Sequence, residues 1–214
     1  MKGIFVAGTD TGVGKTYIAC IISGILKNNG INVGVMKPAC SGSRSDVKKL
    51  LKAAGIRENV ELVNPLYFKH PLAPYVSARL ERKKVDVKKA LTVFRKLCSK
   101  YDFLVVEGAG GVQVPITEKY FVSDMIKNFG LPVILVARPA LGTINHTLLA
   151  MEKLERMNVK VAAVVLSNGR GRGPAERTNP AVLRKLAGLT VFEIKNNERK
   201  NMEFEKWLLK TMAG

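Results

Sequence analysis

The sequence predicts an α/β fold: a doubly wound, mostly parallel sheet with helices packed on both faces. Three observations carry that prediction. Short apolar runs such as Phe103-Leu104-Val105-Val106 and Val133-Ile134-Leu135-Val136 lack any alternation, which suits strands covered on both faces. Stretches of helical pattern separate successive runs, the order that builds βαβ units. A glycine-rich segment joins the first run to the first helical stretch.

Taken along the chain, the first strand is expected over residues 3–7 and its helix over 15–29. A strand over 32–36 precedes a helix over 46–54. The stretch 63–76, with its three prolines, reads as irregular. A helix over 85–100 leads into the strand at 103–106, and a helix over 121–128 into the strand at 132–137. A helix over 143–157 and a strand over 159–166 follow. The glycine- and arginine-rich stretch 168–179 reads as a second loop, before a helix over 180–187, a strand over 190–194 and a last helix over 199–212. Loops at the edge of such a scaffold often carry binding groups. No repeat or linker interrupts the pattern, and 214 residues suit one domain, 1–214.

Composition narrows the classes. Hydrophobic residues make up 47% and aromatic residues 7%, ordinary values for a soluble α/β protein. No apolar run approaches the ~20 residues that span a bilayer. The chain reads as lacking a leader, because Met1-Lys2 runs directly into the first strand. Three scattered cysteines, Cys20, Cys40 and Cys98, fit a reducing cytoplasm and match no zinc spacing. The net charge of +18 is large. Its lysines, such as Lys48-Lys49 and Lys83-Lys84, are spread along the whole chain without aromatic interleaving. They read as solvated helix faces that attract anionic substrates, not as a nucleic-acid interface.

Three clusters carry chemistry. Gly8-Thr9-Asp10-Thr11-Gly12-Val13-Gly14-Lys15-Thr16 follows a strand and opens a helix, the context of a phosphate-binding P-loop. Its backbone N–H groups and helix start would cradle an anion. Lys15 would reach the β- and γ-phosphates, and Thr16 would hold Mg²⁺. Five residues separate Gly8 from Gly14, one more than the general motif allows. Glu107-Gly108-Ala109-Gly110-Gly111 lies at the end of a buried strand, where metal and nucleotide meet in such folds. Lys37-Pro38-Ala39-Cys40-Ser41-Gly42 follows another strand end and offers a mobile cation and a hydroxyl. Asp46 begins the next helix, where its carboxylate either caps the helix or assists Mg²⁺.

Together these segments resemble the dethiobiotin synthetase family. The likeness rests on Gly-Thr-Asp-Thr-x-Val-Gly-Lys-Thr at 8–16, Lys-Pro-x-x-Ser-Gly at 37–42, Ser45-Asp46 and Val-Glu-Gly-Ala-Gly-Gly at 106–111. Leu-Pro-Val-Ile-Leu-Val at 131–136 and Leu-Gly-x-Ile-Asn-His at 141–146 extend it. The longer P-loop spacing is that family's own version. The resemblance implies a P-loop ligase that converts 7,8-diaminononanoate and CO2 to dethiobiotin, with ATP as co-substrate and Mg²⁺. It implies catalytic roles for Lys37, Lys15 and Thr11, and substrate contacts from Ser41, Thr11, Gly142, Thr143 and Asn145. The last three would come from the neighbouring subunit of a homodimer. Nucleotide contacts would come from Gly12, Val13, Gly14, Lys15, Thr16, Tyr17, Asp46, Glu107, Gly108, Ala109, Gly110 and Asn168. Thr16, Asp46 and Glu107 would hold the metal. His146 and His70 are expected to be non-catalytic, His70 in solvent.

The chain departs from the family pattern at Gly12, at Ala73-Pro74-Tyr75, at Asn168-Gly169 and at Glu193-Ile194-Lys195, which lacks a proline. The last two departures imply a loose choice of nucleotide base. Two rivals share the P-loop without this chemistry: a partitioning ATPase of the ParA/MinD kind and a non-catalytic regulatory relative. The first typically carries a lysine early in its P-loop, where Thr9 and Asp10 stand here. Lys37, Ser41, Asp46 and Glu107 speak against the second. A related amidoligase would need a glutaminase domain for which the chain is too short.

Overall fold

The structure, a computed structural model, describes residues 3–169, 173–198 and 201–213, without the side chains of Asn168 and Ala213. Six parallel strands form the central sheet: β1 (Gly3–Gly8), β2 (Val33–Met36), β5 (Phe103–Glu107), β8 (Val133–Ala137), β9 (Val161–Gly169) and β10 (Val191–Lys195). Their spatial order is β10-β9-β8-β1-β5-β2. β1 is thus flanked by β5 and β8, with Val6 opposite Glu107 and Gly8 opposite Val136. The loop leaving β1 therefore emerges beside the carboxyl end of β5.

Successive residues of each strand point to opposite faces, and both faces are covered. Ile4, Val6, Val105 and Ile134 pack under α1 (Lys15–Asn28), α2 (Ser45–Ala54) and α9 (Met202–Ala213), meeting Ile18, Ile22, Leu50, Phe204 and Leu208. Phe5, Leu104, Val106 and Leu135 pack against the other layer. That layer is α5 (Val87–Lys100), α6 (Val122–Phe129), α7 (Thr143–Arg156) and α8 (Pro174–Ala187). Burial on both sides is why these strands read as unbroken apolar runs. Among the described residues no helix is long and apolar enough to cross a membrane.

The expected elements recur within a few residues, with three corrections. The stretch expected to be irregular at 63–76 holds the end of α3 (Val60–Val63), then β4 (Leu66–Phe68) and the start of α4 (Pro74–Leu80). β4 pairs in parallel with β3 (Ala39–Ser41), so the Lys37–Gly42 segment holds a strand of a small second sheet. α8 begins at Pro174, six residues before the expected start, and runs through Pro180. Pro174, at the first turn, is the proline that starts it. A short hairpin, β6 (Pro115–Thr117) with β7 (Tyr120–Phe121), was also not expected. Residues 170–172 of the glycine–arginine loop, and 199–200 at the expected start of the last helix, lie outside the described residues.

Candidate active site

The P-loop turns on two glycines. Gly12 and Gly14 hold φ of 72° and 101°, a region that side chains other than glycine's rarely adopt. Gly14 sits at the start of α1 without a side-chain cap, leaving the first N–H groups of the helix open to an anion. Val13 is buried and pins the loop to the core. The Lys15 ammonium folds back over the loop and donates to the Asp10 carbonyl at 2.8 Å. A Cβ at Gly8 would lie 2.8 Å from Lys15 Nζ, so glycine there gives the lysine its path. Burial lowers the Lys15 ammonium from the ordinary 10.5 to about 8, and the like charge of Lys37 adds to the effect. Asp10 accepts from the Thr11 N–H at 2.6 Å and from Arg138 at 3.2 Å, tying the loop to the end of β8.

Two strand ends, those of β5 and β2, and the start of α2 converge next to that lysine. Glu107, at the end of β5, is 1% exposed. Its Oε1 accepts from Thr16 Oγ1 at 2.7 Å and from Lys37 Nζ at 2.6 Å. Lys37 also donates to Asp46 Oδ2 at 2.8 Å. Burial alone would depress the Lys37 ammonium, but Glu107 and Asp46 outweigh it and hold it above the ordinary lysine value. Asp46 is likewise held low: burial opposes its charge, and Lys37 overrides burial. The carboxylate does not cap α2. Ser43 Oγ accepts from the Ser45 N–H at 3.1 Å instead, which leaves Asp46 turned toward Lys37.

A hard cation prefers carboxylate and hydroxyl oxygens. Thr16, Asp46 and Glu107 supply that set, and the second Glu107 oxygen, Oε2, is buried with no hydrogen-bond partner. An orphaned carboxylate oxygen beside a phosphate loop fits a bound Mg²⁺. Among the described residues no three His, Cys, Asp or Glu side chains cluster, so the fit rests on two carboxylates and one hydroxyl.

The turn after β5 closes against the P-loop. A Cβ at Gly111 would lie 2.8 Å from the Thr9 carbonyl, one at Gly110 3.4 Å from Thr11 Oγ1, and one at Gly108 2.9 Å from the Phe5 ring. From this junction a cleft of about 370 Å³ opens, lined by Thr11, Lys37, Ser41, Asp46, Pro71, Ala109 and Gly110 among others. The Ser41 hydroxyl is buried and unpartnered.

The structure thus unites Lys15, Thr16, Lys37, Asp46 and Glu107, with Thr11, Ser41, Ala109 and Gly110 along the cleft. It does not bring Gly142, Thr143 or Asn145 into that cleft. Gly142, at φ 90°, precedes α7, the Thr143 hydroxyl is buried without a partner, and Asn145 is exposed. Tyr17 faces elsewhere: its hydroxyl donates to the Glu198 carbonyl at 2.5 Å, in the turn after β10. Asn168 lies in β9, its side chain outside the described set. His70 and His146 are both exposed.

Sequence reasoning missed the support behind Lys37. Asn64, 0% exposed, donates through Nδ2 to the Lys37 carbonyl at 2.8 Å and accepts at Oδ1 from Arg44 Nε at 3.1 Å. Its only local signal is an Asn-Pro pair at 64–65, which reads as a turn.

Residues 2–198 match the family described as "AAA domain". The chain is 47% identical over 214 residues to an ATP-dependent dethiobiotin synthetase of Endomicrobium trichonymphae, covering 98% of this chain and 99% of that one. To the ATP-dependent dethiobiotin synthetase of Bacillus licheniformis it is 42% identical over 200 residues, covering 91% and 85%. In fold it is similar to the septum site-determining protein MinD of Pyrococcus horikoshii, with a TM-score of 0.59, 16% identity and coverage of 98% and 85%. That last likeness concerns architecture alone. The identities to the synthetases run through nearly the whole chain, and the chain belongs to the ATP-dependent dethiobiotin synthetase family.

Proposed function

We propose that the chain is a dethiobiotin synthetase acting in biotin biosynthesis, converting 7,8-diaminononanoate, CO2 and ATP to dethiobiotin, ADP and phosphate. Family membership supports the reaction. The observation that carries the site assignment is the cluster at the head of the cleft, where Lys37 lies 2.6 Å from Glu107 and 2.8 Å from Asp46 beside the P-loop lysine.

One amine of the substrate adds to CO2 and loses a proton to give a carbamate. A carbamate oxygen takes the γ-phosphoryl group of ATP, releasing ADP. The second amine then attacks the carbamoyl carbon, closes the ring and expels phosphate. Two anions have to approach each other before phosphoryl transfer, so fixed positive charge is the main requirement. Lys15 receives the β- and γ-phosphates, and Lys37 faces the junction of phosphate and carbamate. Ser41 and Thr11 orient the carbamate and amines from the cleft wall. Thr16, Asp46 and Glu107 would hold Mg²⁺, which supplies charge neutralisation on the transferred group. Gly12, Val13, Gly14, Gly108, Ala109 and Gly110 line the phosphate path with backbone.

Gly142, Thr143 and Asn145 receive the substrate's distal carboxylate from the partner of a homodimer. The unpartnered Thr143 hydroxyl at a helix start supports that role, and Leu141, 94% exposed beside it, supports burial against a second copy. The chain works as one domain in the cytoplasm, where scattered cysteines stay reduced. Mass spectrometry after incubation with diaminononanoate, bicarbonate and MgATP tests the reaction. A new product 26 mass units above the diamine is expected (CO2 gained, water lost); ATP consumption without it overturns the assignment.

A further inference from the structure

Lys37 stands at the end of a four-residue strand with Pro38 after it, a poor mount for a side chain that has to hold two carboxylates. What steadies it lies 27 residues further on. The Asn64 side chain is wholly buried between the end of α3 and the start of β4. Arg44 Nε has only a proton to offer, so the amide oxygen faces Arg44 and the amide NH2 faces the Lys37 carbonyl. The orientation is set by chemistry.

Arg44 is itself fixed from three sides. It forks onto both oxygens of Glu61, stacks 3.9 Å over the Tyr67 ring and bonds Asn64. It also directly precedes α2, two residues before Asp46. Tyr67, in turn, donates to the Gly42 carbonyl at 2.9 Å. One buried amide therefore joins the backbone that carries Lys37 to the helix start that carries Asp46, and the pair's separation depends on both. A brace of planar, bidentate and stacked contacts resists displacement better than flexible ones.

We propose that Asn64, oriented by Arg44, is a positioning residue that holds Lys37 at its working distance from Asp46 and Glu107. Asn64 touches neither nucleotide nor substrate in the reading above, on which this inference rests. Its effect passes through Lys37.

The test is a double-mutant cycle measured on the full-length protein. Asn64→Asp keeps shape and the Arg44 contact but sets an oxygen against the Lys37 carbonyl; Asn64→Ala removes both contacts. Misplacement of a reacting group by about 1 Å costs up to ~10²-fold. Each variant is therefore expected to lower kcat ~10–100-fold, while KM for ATP changes less than ~3-fold, because Lys15 and the P-loop are untouched. Combined with Lys37→Ala, neither should lower kcat further. An equal fold-loss in the Lys37→Ala background, or an unchanged kcat in the wild-type one, would overturn the proposal. If thermal melting shows that neither Asn64 variant folds, Arg44→Lys, which lacks the Nε donor and the fork, enters the same cycle under the same criteria. Should the wild type release phosphate without forming the cyclic urea, the reaction assignment fails, while the cycle scored on phosphate release still decides the role of Asn64.

Discussion

At the residue scale the site is governed by two lysines in opposite electrostatic states. Lys37 is stabilised as a cation by Glu107 and Asp46, which outweigh its burial and hold its ammonium above the ordinary lysine value. In the proposed mechanism, replacing it by alanine removes a preorganised charge where the phosphoryl group transfers, a loss worth ~10²–10³ in rate. Ring closure should fall by that factor with the circular dichroism spectrum unchanged, and near wild-type turnover would remove Lys37 from the chemistry. Lys15 is depressed to about 8 by burial. In the proposed mechanism phosphate binding needs its proton, so above pH 8 the nucleotide has to bring a proton in with it. ATP affinity should be flat up to pH 8 and then fall by up to about tenfold per unit. Titrations of ATP binding between pH 7 and 10 check this, and Lys15→Arg, which keeps its proton, should flatten the profile. A constant Kd in the wild type up to pH 9.5 would contradict it. The sign for folding is separate: the unfolded lysine binds its proton up to the ordinary 10.5, so the cost of burying Lys15 is full below pH 8 and is relieved as pH rises between the two values.

At the element scale, length decided what was readable. Apolar strands of four to nine residues and helices such as α1 and α5 repeat their pattern often enough to declare themselves. β3 and β4 have three residues each, too few for any period, and what makes them strands is their pairing with each other. The turn after β10 supports a prediction about the base. Glu198 accepts from the Lys195 N–H at 2.7 Å and from Asn201 at 2.9 Å, and its carbonyl accepts from Tyr17. These polar groups are engaged with one another, and Gly169, at the end of β9, has no side chain to add. Rejecting a wrong base requires groups that it would leave unpaired. ATP should therefore be preferred over CTP and GTP by only about tenfold in kcat/KM, ~1.4 kcal/mol. Measurement of the three triphosphates at saturating diamine decides it, and a thousandfold preference would show a strict adenine pocket.

At the scale of the whole molecule, the proposed function calls for a second copy. The α7 start sits outside the cleft, with Leu141 and Leu149 exposed at 94% and 56%. A stable C2 interface would cover such residues and offer each helix start to the partner's cleft. Mixing Lys37→Ala chains with Asn145→Ala chains should restore activity. In each mixed dimer one site then carries both lesions and the other carries none. Absence of recovery, with heterodimers verified by native mass spectrometry, would mean that each cleft is complete within one chain.

What the sequence by itself determined was everything whose cause is local. The P-loop, its lysine and its hydroxyl form one contiguous strand–turn–helix, so Lys15 and Thr16 were legible as candidates for phosphate and metal contacts. Glu107 was legible from four apolar residues ahead of it, and the family motifs tied Lys37, Ser41 and Asp46 to the same chemistry. The tertiary structure decided what depends on which strands are neighbours. Lys37 and Glu107 are 70 residues apart and meet because β2 pairs with β5 while β5 pairs with β1. Asn64 could not be read as a neighbour of Lys37, because the arginine and the carbonyl that it bonds lie 20 and 27 residues away in sequence and meet it only in the folded chain. A residue's contacts across a sheet are set by strand order, and strand order is fixed by packing both faces at once.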